Sequence, residues 1–417
     1  GEIELAKENK IPKLLEDADL KGILHNHSTY SDGKHSLRQM AEHCKALGYD
    51  YLGISDHSRT ASYAGGLLHC RTGRGGWRLA GWASRFPRHR LPAERIEQAM
   101  QKAGQKPGLA PGLPEFLWIA YQLTFAIITP ALIAGAFAER MKYSGLLLFT
   151  ALWSLLIYSP ICHWVWGGGF LGSAGVLDFA GGAVVHVNSG VAGLVCAIFL
   201  GRRKGYGVEP INPHNPVLTM IGASLLLVGW IGFNAGSAGA ANELMGVALL
   251  NTVLAAAAAA LTWKIIELIE KKKVSLIGML SGVVAGLVAI TPAAGFVDPK
   301  GAVIIGLIAG PVCYISSVWI KKLLRYDDSL DAFGIHGAGG LIGALLTGVF
   351  ATTAINSLSE GANVGAQAIG LAWTIAYSAV GTFIILVICK FTTGLRVSEA
   401  EEAAGLDTSL HGEALEH

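Results

Sequence analysis

Two aspartates and two histidines recur in this chain at one spacing. Asp178, His186, Gly190 and Gly193 stand as far apart as Asp328, His336, Gly340 and Gly343, so both copies read D, seven residues, H, three residues, G, two residues, G. The first copy lies in DFAGGAVVHVNSGVAGLV (178–195), a stretch of small and β-branched residues that is otherwise nearly uncharged. An ionisable side chain in an apolar membrane segment is expensive, tends to face the bundle interior or a cavity, and needs a partner. Two imidazoles can partner one another, ring nitrogen to ring nitrogen, one donating and one accepting while both are neutral. Such a pair makes a narrow polar line through an apolar lumen, and the flanking glycines let helices approach closely and narrow the bore. A second cluster stands near the start, with His25, His27 and Asp32 in HNHSTYSDG and His57 in ISDHS. Imidazole and carboxylate together suit Zn or Mn, which activate water for attack on phosphate.

The elements that must position these groups divide the chain into zones. Of its 417 residues 52% are hydrophobic, only 15% are charged and 54 are Gly, a balance that points to a bilayer. The net charge of +2 says little about nucleic acid, and none is expected as a partner. Six cysteines without regular spacing suggest neither a disulfide framework nor a zinc knuckle. The opening GEIELAKENK is charged, so insertion is expected to start internally.

From Pro114 onward, nine apolar runs, at about 114–137, 144–165, 180–201, 216–236, 244–265, 275–295, 301–320, 335–354 and 367–391, each approach the length needed to span a bilayer. Arg140 and Lys142, Arg202 to Lys204, Lys271 to Lys273, Lys321 to Arg325, and Lys390 with Arg396 follow the odd-numbered runs. The even connectors are nearly free of Lys and Arg, which places the odd connectors and the C-terminus in the cytoplasm and residue 113 outside. The two D/H copies fall in the third and eighth runs, five apart. An odd offset makes the two run in opposite directions, as in inverted-repeat transporters with a site near the midplane.

Residues 1–67 read differently. KGILHNH (22–27) and DYLGISDHS (50–58) look like strands, and Leu37, Met40, Ala41, Cys44 and Leu47 mark an amphipathic helix between them. An HxH at the end of one strand and a His after the next would converge at the C-terminal mouth of a βα barrel. Residues 68–112 carry a cluster of arginines among Gly, Trp and Pro, then the Pro/Gly run KPGLAPGLP, and read as a linker or junction. This zone and the α/β start fall on the outer side by the charge rule, a side that suits neither.

The motifs FAIITPALIAGAFAERMKYS (125–144), HWVWGGG (163–169), LDFAGGAVVHVNSGVAGL (177–194), GWIGFNAGSAGAANE (229–243), GLVAITPAAG (286–295) and DAFGIHGAGG (331–340) resemble the ammonium transporter family, related to the Rh proteins. The resemblance covers residues 113–417. It implies an all-α membrane protein with an inverted repeat, carrying nine of the family's eleven transmembrane helices, with the first two absent before residue 113. It implies an outer recruitment site at Trp166, Phe125 and Ser237, with Tyr121 as a further vestibule aromatic. Aromatic faces can hold ammonium by cation–π attraction, and a Ser hydroxyl can accept its hydrogen bond. Phe125 and Phe233 match stacked gate rings, His186 and His336 the pore pair, and Asp178 a buried supporting carboxylate. The implied activity is uptake of ammonium, bound as a cation, deprotonated and passed on as ammonia. The implied setting is a homotrimer in the plasma membrane, with residues 397–417 as a cytoplasmic tail open to PII signal proteins.

HNHSTYSDG and ISDHS resemble the opening of a PHP domain, the metal-dependent phosphoesterase module of bacterial family X DNA polymerases. His25, His27, Asp32 and His57 match its first metal ligands. The resemblance stops near Leu67, and the later ligands are not found. The expectation is a partial α/β PHP-barrel fragment without catalysis, followed by a transporter domain at 113–396, with no cofactor unless the fragment held Zn or Mn. Two alternatives stand beside it: a membrane-tethered phosphoesterase, and a joined reading frame whose product has neither activity.

Overall fold

The computed structural model describes residues 22–26, 39, 42, 43, 46, 51–54, 113–209 and 211–413. The chain divides into two units, Gly1–Arg95 and Ile96–His417. In the first, β1 (Gly22–Asn26) and β2 (Tyr51–Ile54) pair in parallel, with Gly22 opposite Tyr51. The described residues between them, 39, 42, 43 and 46, are helical, so the strand–helix–strand order is as expected.

The second unit is a helical bundle. Its helices are α1 (Glu115–Ala134), α2 (Tyr143–Ser173), α3 (Gly182–Leu200), α4 (Pro216–Gly236), α5 (Glu243–Lys271), α6 (Leu276–Ile290), α7 (Pro299–Leu324), α8 (Ala332–Phe350) and α9 (Val364–Thr392). Among the described residues eight are long and apolar enough to cross a membrane, and α6 is the shorter exception. The expected run at 275–295 ends as helix at Ile290 because Pro292, two residues on, has no N–H to continue the ladder. A short helix, α10 (Glu399–Ala404), follows the last span and begins on a capping box between Ser398 and Glu401.

Five of these helices start on side-chain caps, with Asn215, Asn242, Ser275, Asp298 and Asn363 each accepting a backbone N–H of the first turn. The starts of α3 and α8 are built differently and alike. Each is preceded by a left-handed residue, Gly181 (φ 115°) and Asp331 (φ 58°), and each opens in a wide π-type turn, Gly182–Val187 and Ala332–Gly337. Asp178 and Asp328 stand four residues before these turns, and His186 and His336 occupy the fifth position in them. The repeat read from the sequence is therefore also a repeat of backbone geometry.

Small residues set the spacing between helices. The backbone of Gly190 in α3 lies against that of Gly337 in α8, so a side chain at Gly190 would collide with the facing main chain. Gly286 and Gly306 likewise meet the backbone of Ala255. Between helices in lipid there is little hydrophobic driving force, and such close approach supplies the packing contact instead.

The basic odd connectors gather at one end. Arg140, fully buried, donates to the Asp327 carbonyl at 2.6 Å, and Arg203 pairs with Asp327 at 2.8 Å and Glu139 at 2.7 Å. Arg396 joins them, donating to the Leu200 carbonyl at 2.8 Å and pairing with Glu402 at 2.9 Å. The Val397 N–H donates to the Arg140 carbonyl, tying the tail to the same end.

Candidate functional site

The site is built on five helices, α1, α2, α3, α4 and α8, and the loop ahead of α3. Asp178 is buried just ahead of α3, and its two oxygens accept four backbone N–H groups, from Gly181 (2.8 Å), Gly182 (2.6 Å), Ala183 (2.8 Å) and Val184 (3.1 Å). These are the donors that a helix start leaves without intrahelical partners, and an anion there also meets the positive end of the helix dipole. The carboxylate thus fixes the wide turn that carries His186. Asp328 does the same for α8 with two donors, Ala332 (3.0 Å) and Phe333 (2.8 Å).

The two turns bring His186 and His336 together, Nδ1 to Nδ1 at 3.3 Å, with ring centroids 5.3 Å apart and planes 19° from parallel. Two protonated rings would set N–H against N–H, so the contact requires one Nδ1–H donor and one bare Nδ1 acceptor. It follows that the Nε2 of the donor ring is an acceptor and the Nε2 of its partner is a donor. His186 is 1% exposed, and its Nε2 has no hydrogen-bond partner among the described residues.

On one side of the pair stands a column of rings. Phe233 of α4 lies 6.3 Å from His186, and Phe125 of α1 packs on Phe233 at 4.4 Å and 31°. Trp166 of α2 meets Phe125 edge to face at 5.5 Å, and Tyr121 does so at 5.0 Å. Trp166 is held by its indole N–H, which donates to the Asp178 carbonyl at 2.7 Å, so one aspartate positions both the outer ring and the inner turn. The Tyr121 hydroxyl donates to the Phe233 carbonyl at 2.7 Å and lies 2.8 Å from Ser237 Oγ, which also reaches the Phe233 carbonyl at 2.9 Å. All eight residues expected in the transport path, Tyr121, Phe125, Trp166, Asp178, His186, Phe233, Ser237 and His336, fall in this one assembly.

Sequence reasoning missed Trp230. Its indole stacks on His186 at 5.1 Å and 17°, and its N–H donates to Thr291 Oγ1 at 2.9 Å. The available signal was its position one helical turn before Phe233, in GWIGF. Of the expected metal ligands, His25 lies in β1, while His27, Asp32 and His57 fall outside the described residues. Among the described residues no group of three His, Cys, Asp or Glu could hold a metal ion. Cys162, Cys196, Cys313 and Cys389 are unpaired.

A polytopic helical bundle with an inverted repeat, aromatic rings stacked above a histidine pair set among apolar side chains, defines a membrane transporter of a small polar solute. The family model described as Ammonium Transporter Family matches residues 77–415, and one described as PHP domain matches residues 24–113. The two overlap at 77–113, past both boundaries expected from the sequence. An ammonium transporter of Bacillus subtilis is 47% identical over 308 residues, 72% of this chain and 76% of that protein. Ammonium transporter Amt1 of Archaeoglobus fulgidus is 47% identical, covering 72% of this chain and 77% of that one. The crystal structure of Saccharomyces cerevisiae Mep2 superposes with a TM-score of 0.65 at 38% identity, over 70% of this chain and 68% of that one. This chain belongs to the ammonium transporter family, and its function is ammonium transport across a membrane.

Proposed function

We propose that ammonium is recruited, gated and deprotonated along the column Trp166, Phe125, Phe233, His186, His336. The observation that carries this reading is the continuity of the column, whose successive ring centroids lie 5.5, 4.4, 6.3 and 5.3 Å apart. The faces of Trp166 and Phe125 attract the cation, and Ser237 Oγ, whose proton is directed at a carbonyl, keeps a lone pair for an ammonium N–H. The Phe125 and Phe233 rings must part for passage, and beyond them nothing replaces the hydration of a cation. One N–H bond therefore breaks: ammonia continues, donating to one Nε2 and accepting from the other. The released proton either returns to the outer solution or follows along the imidazoles, and current per ammonia in planar bilayers distinguishes the two.

The wider setting follows the same reading. The protein works as a homotrimer in the plasma membrane, its basic end and tail in the cytoplasm, where the tail is open to a PII signal protein. Residues 1–67 are an inert PHP fragment, 68–112 a linker, 113–396 the transport domain and 397–417 the tail. The PHP match supports a second reading, a metal-dependent phosphoesterase, and phosphodiester hydrolysis with added Mn would establish it. The transport reading is tested by methylammonium uptake in cells lacking their own transporter. We expect Trp166→Ala to raise KM several-fold with kcat largely kept, and His186→Ala to abolish uptake. Equal uptake in all three proteins would overturn it.

A further inference from the structure

The loop ahead of α3 is held at three points. Two serve the site directly: the Asp178 side chain takes four N–H groups of α3, and the Asp178 carbonyl takes the Trp166 indole. The third lies one residue earlier. Gln367, in the first turn of α9 and only 2% exposed, accepts the Leu177 N–H at 2.8 Å and donates to the Leu177 carbonyl at 2.7 Å. Its second amide N–H donates to the Ala344 carbonyl of α8 at 3.0 Å. These bonds fix the direction of the amide, since a flipped group would set N–H against N–H and oxygen against two carbonyls.

Residues 176–178 belong to no helix or strand, yet peptide groups inside a protein need partners all the same. One side-chain amide does for Leu177 what a neighbouring strand would do. The helix that carries it comes close enough to hold the loop, for a Cβ at Gly370 would stand 2.8 Å from the Val176 side chain.

The other copy of the repeat uses the same device with other chemistry. Leu177 and Asp327 are equivalent positions, each one residue before the repeated aspartate. The Asp327 carbonyl is taken by the buried Arg140 guanidinium at 2.6 Å, as that of Leu177 is taken by Gln367. Both copies thus clamp the backbone just ahead of the aspartate from a side chain distant in sequence. The clamp at the basic end is a cation, and the clamp beside the Trp166 acceptor is neutral, as suits a place that receives a cation.

We propose that Gln367 is a positioning residue for ammonium recruitment: by clamping Leu177 it sets where the Asp178 carbonyl stands, and through that carbonyl the Trp166 ring. This rests on the recruitment role of Trp166 proposed above. The Asp178 side chain keeps its own four bonds without Gln367, so the turn that carries His186 stays in place.

The test is methylammonium uptake by the full chain in cells lacking their own transporter, with Trp166→Ala as reference. Gln367→Met keeps an unbranched side chain of like size and removes the amide. It should raise KM about fivefold with kcat largely kept, the pattern of lost uniform binding. In the Trp166→Ala background the same change should raise KM no further, because the ring it places is gone, whereas a general loosening of the fold would add to the effect. Thr382→Val, which removes a different buried bond of α9, to the Trp153 indole, should leave KM unchanged. In purified protein the Trp166 indole ¹H–¹⁵N signal, assigned by Trp166→Phe, should shift in Gln367→Met and hold in Thr382→Val. Gln367→Glu, which keeps an oxygen for the Leu177 N–H, takes the place of the methionine variant if that one does not fold, and should show the same pattern. The proposal is overturned if KM or the indole signal stays at wild type, if Thr382→Val has the same effect, or if the changes at 166 and 367 act additively. It is also overturned if neither variant at 367 folds, which would make Gln367 structural alone. Should Trp166→Ala itself leave KM unchanged, the recruitment role fails and the proposal with it; a KM raised by Trp166→Ala but not by the change at 367 removes the proposal only.

Discussion

The two copies of the D/H repeat share register, a left-handed lead-in and a wide turn, yet they are finished differently. Asp178 gathers four N–H donors on its side chain and the Trp166 indole of α2 on its carbonyl, and its histidine stacks on Trp230. Asp328 gathers two donors among charged neighbours, with Lys321 paired to Asp331, and its histidine is only partly buried. The two copies thus share one scaffold. The first carries the aromatic entrance, and the second is a turn within a polar cluster beside the basic end.

The largest contrast is expected from removing the two carboxylates. Asp178→Ala strands four donors in an interior where each unmet group costs about 1–3 kcal/mol, and we expect no folded protein on size-exclusion chromatography. Asp328→Ala strands two, and should give a folded protein with a lowered Tm. Equal losses would mean that the copies bear equal loads.

A smaller effect separates Asp328 from its neighbour Asp327. Burial, helped by Asp331, pushes the Asp328 carboxyl from 3.8 up to about 6, against the N–H bonds and Lys321. Burial acts on Asp327 too, but hydrogen bonds and charge from Arg203 hold it below its ordinary value. The folded state keeps the Asp328 proton longer than the unfolded chain does. Its contribution is therefore complete below 3.8 and lost as pH rises through about 6. That of Asp327 has the opposite sign, present above the unfolded value and lost on acidification. Asp328→Asn should flatten the fall in stability between pH 4 and 7, a difference on the order of 3 kcal/mol, read from denaturant melts. Asp327→Asn should leave that fall in place and remove an acid-side loss.

The smallest effect concerns the seal over His186. Trp230→Phe keeps a ring in the stack but loses the bond to Thr291, and a destabilisation of about 1 kcal/mol is expected, measured by the same melts. Among the described residues no ring other than His186 stacks on His336, so a substitution there has no counterpart.

How much of this was legible in the sequence follows from what each feature leaves behind. The spans were legible because lipid imposes length and hydropathy, and the histidine pair because its spacing recurs with Asp178 and Asp328. The wide turns were not, since a shift from four- to five-residue hydrogen bonding leaves no mark on composition. Trp230 escaped because stacking on His186 is a contact between helices that no local pattern encodes. The N-terminal boundary drawn near residue 67 rested on where motif residues stop, while the PHP match runs to residue 113.

The central claim is that His186 and His336 form one neutral, mutually hydrogen-bonded pair. Its most direct test is ¹⁵N NMR of histidine-labelled protein in lipid at pH 7, with the two signals assigned by His186→Gln and His336→Gln. The account predicts one ring protonated at Nδ1 and the other at Nε2, with each tautomer disturbed when its partner is replaced. Two rings both protonated at Nε2, or either one a charged imidazolium, would contradict it.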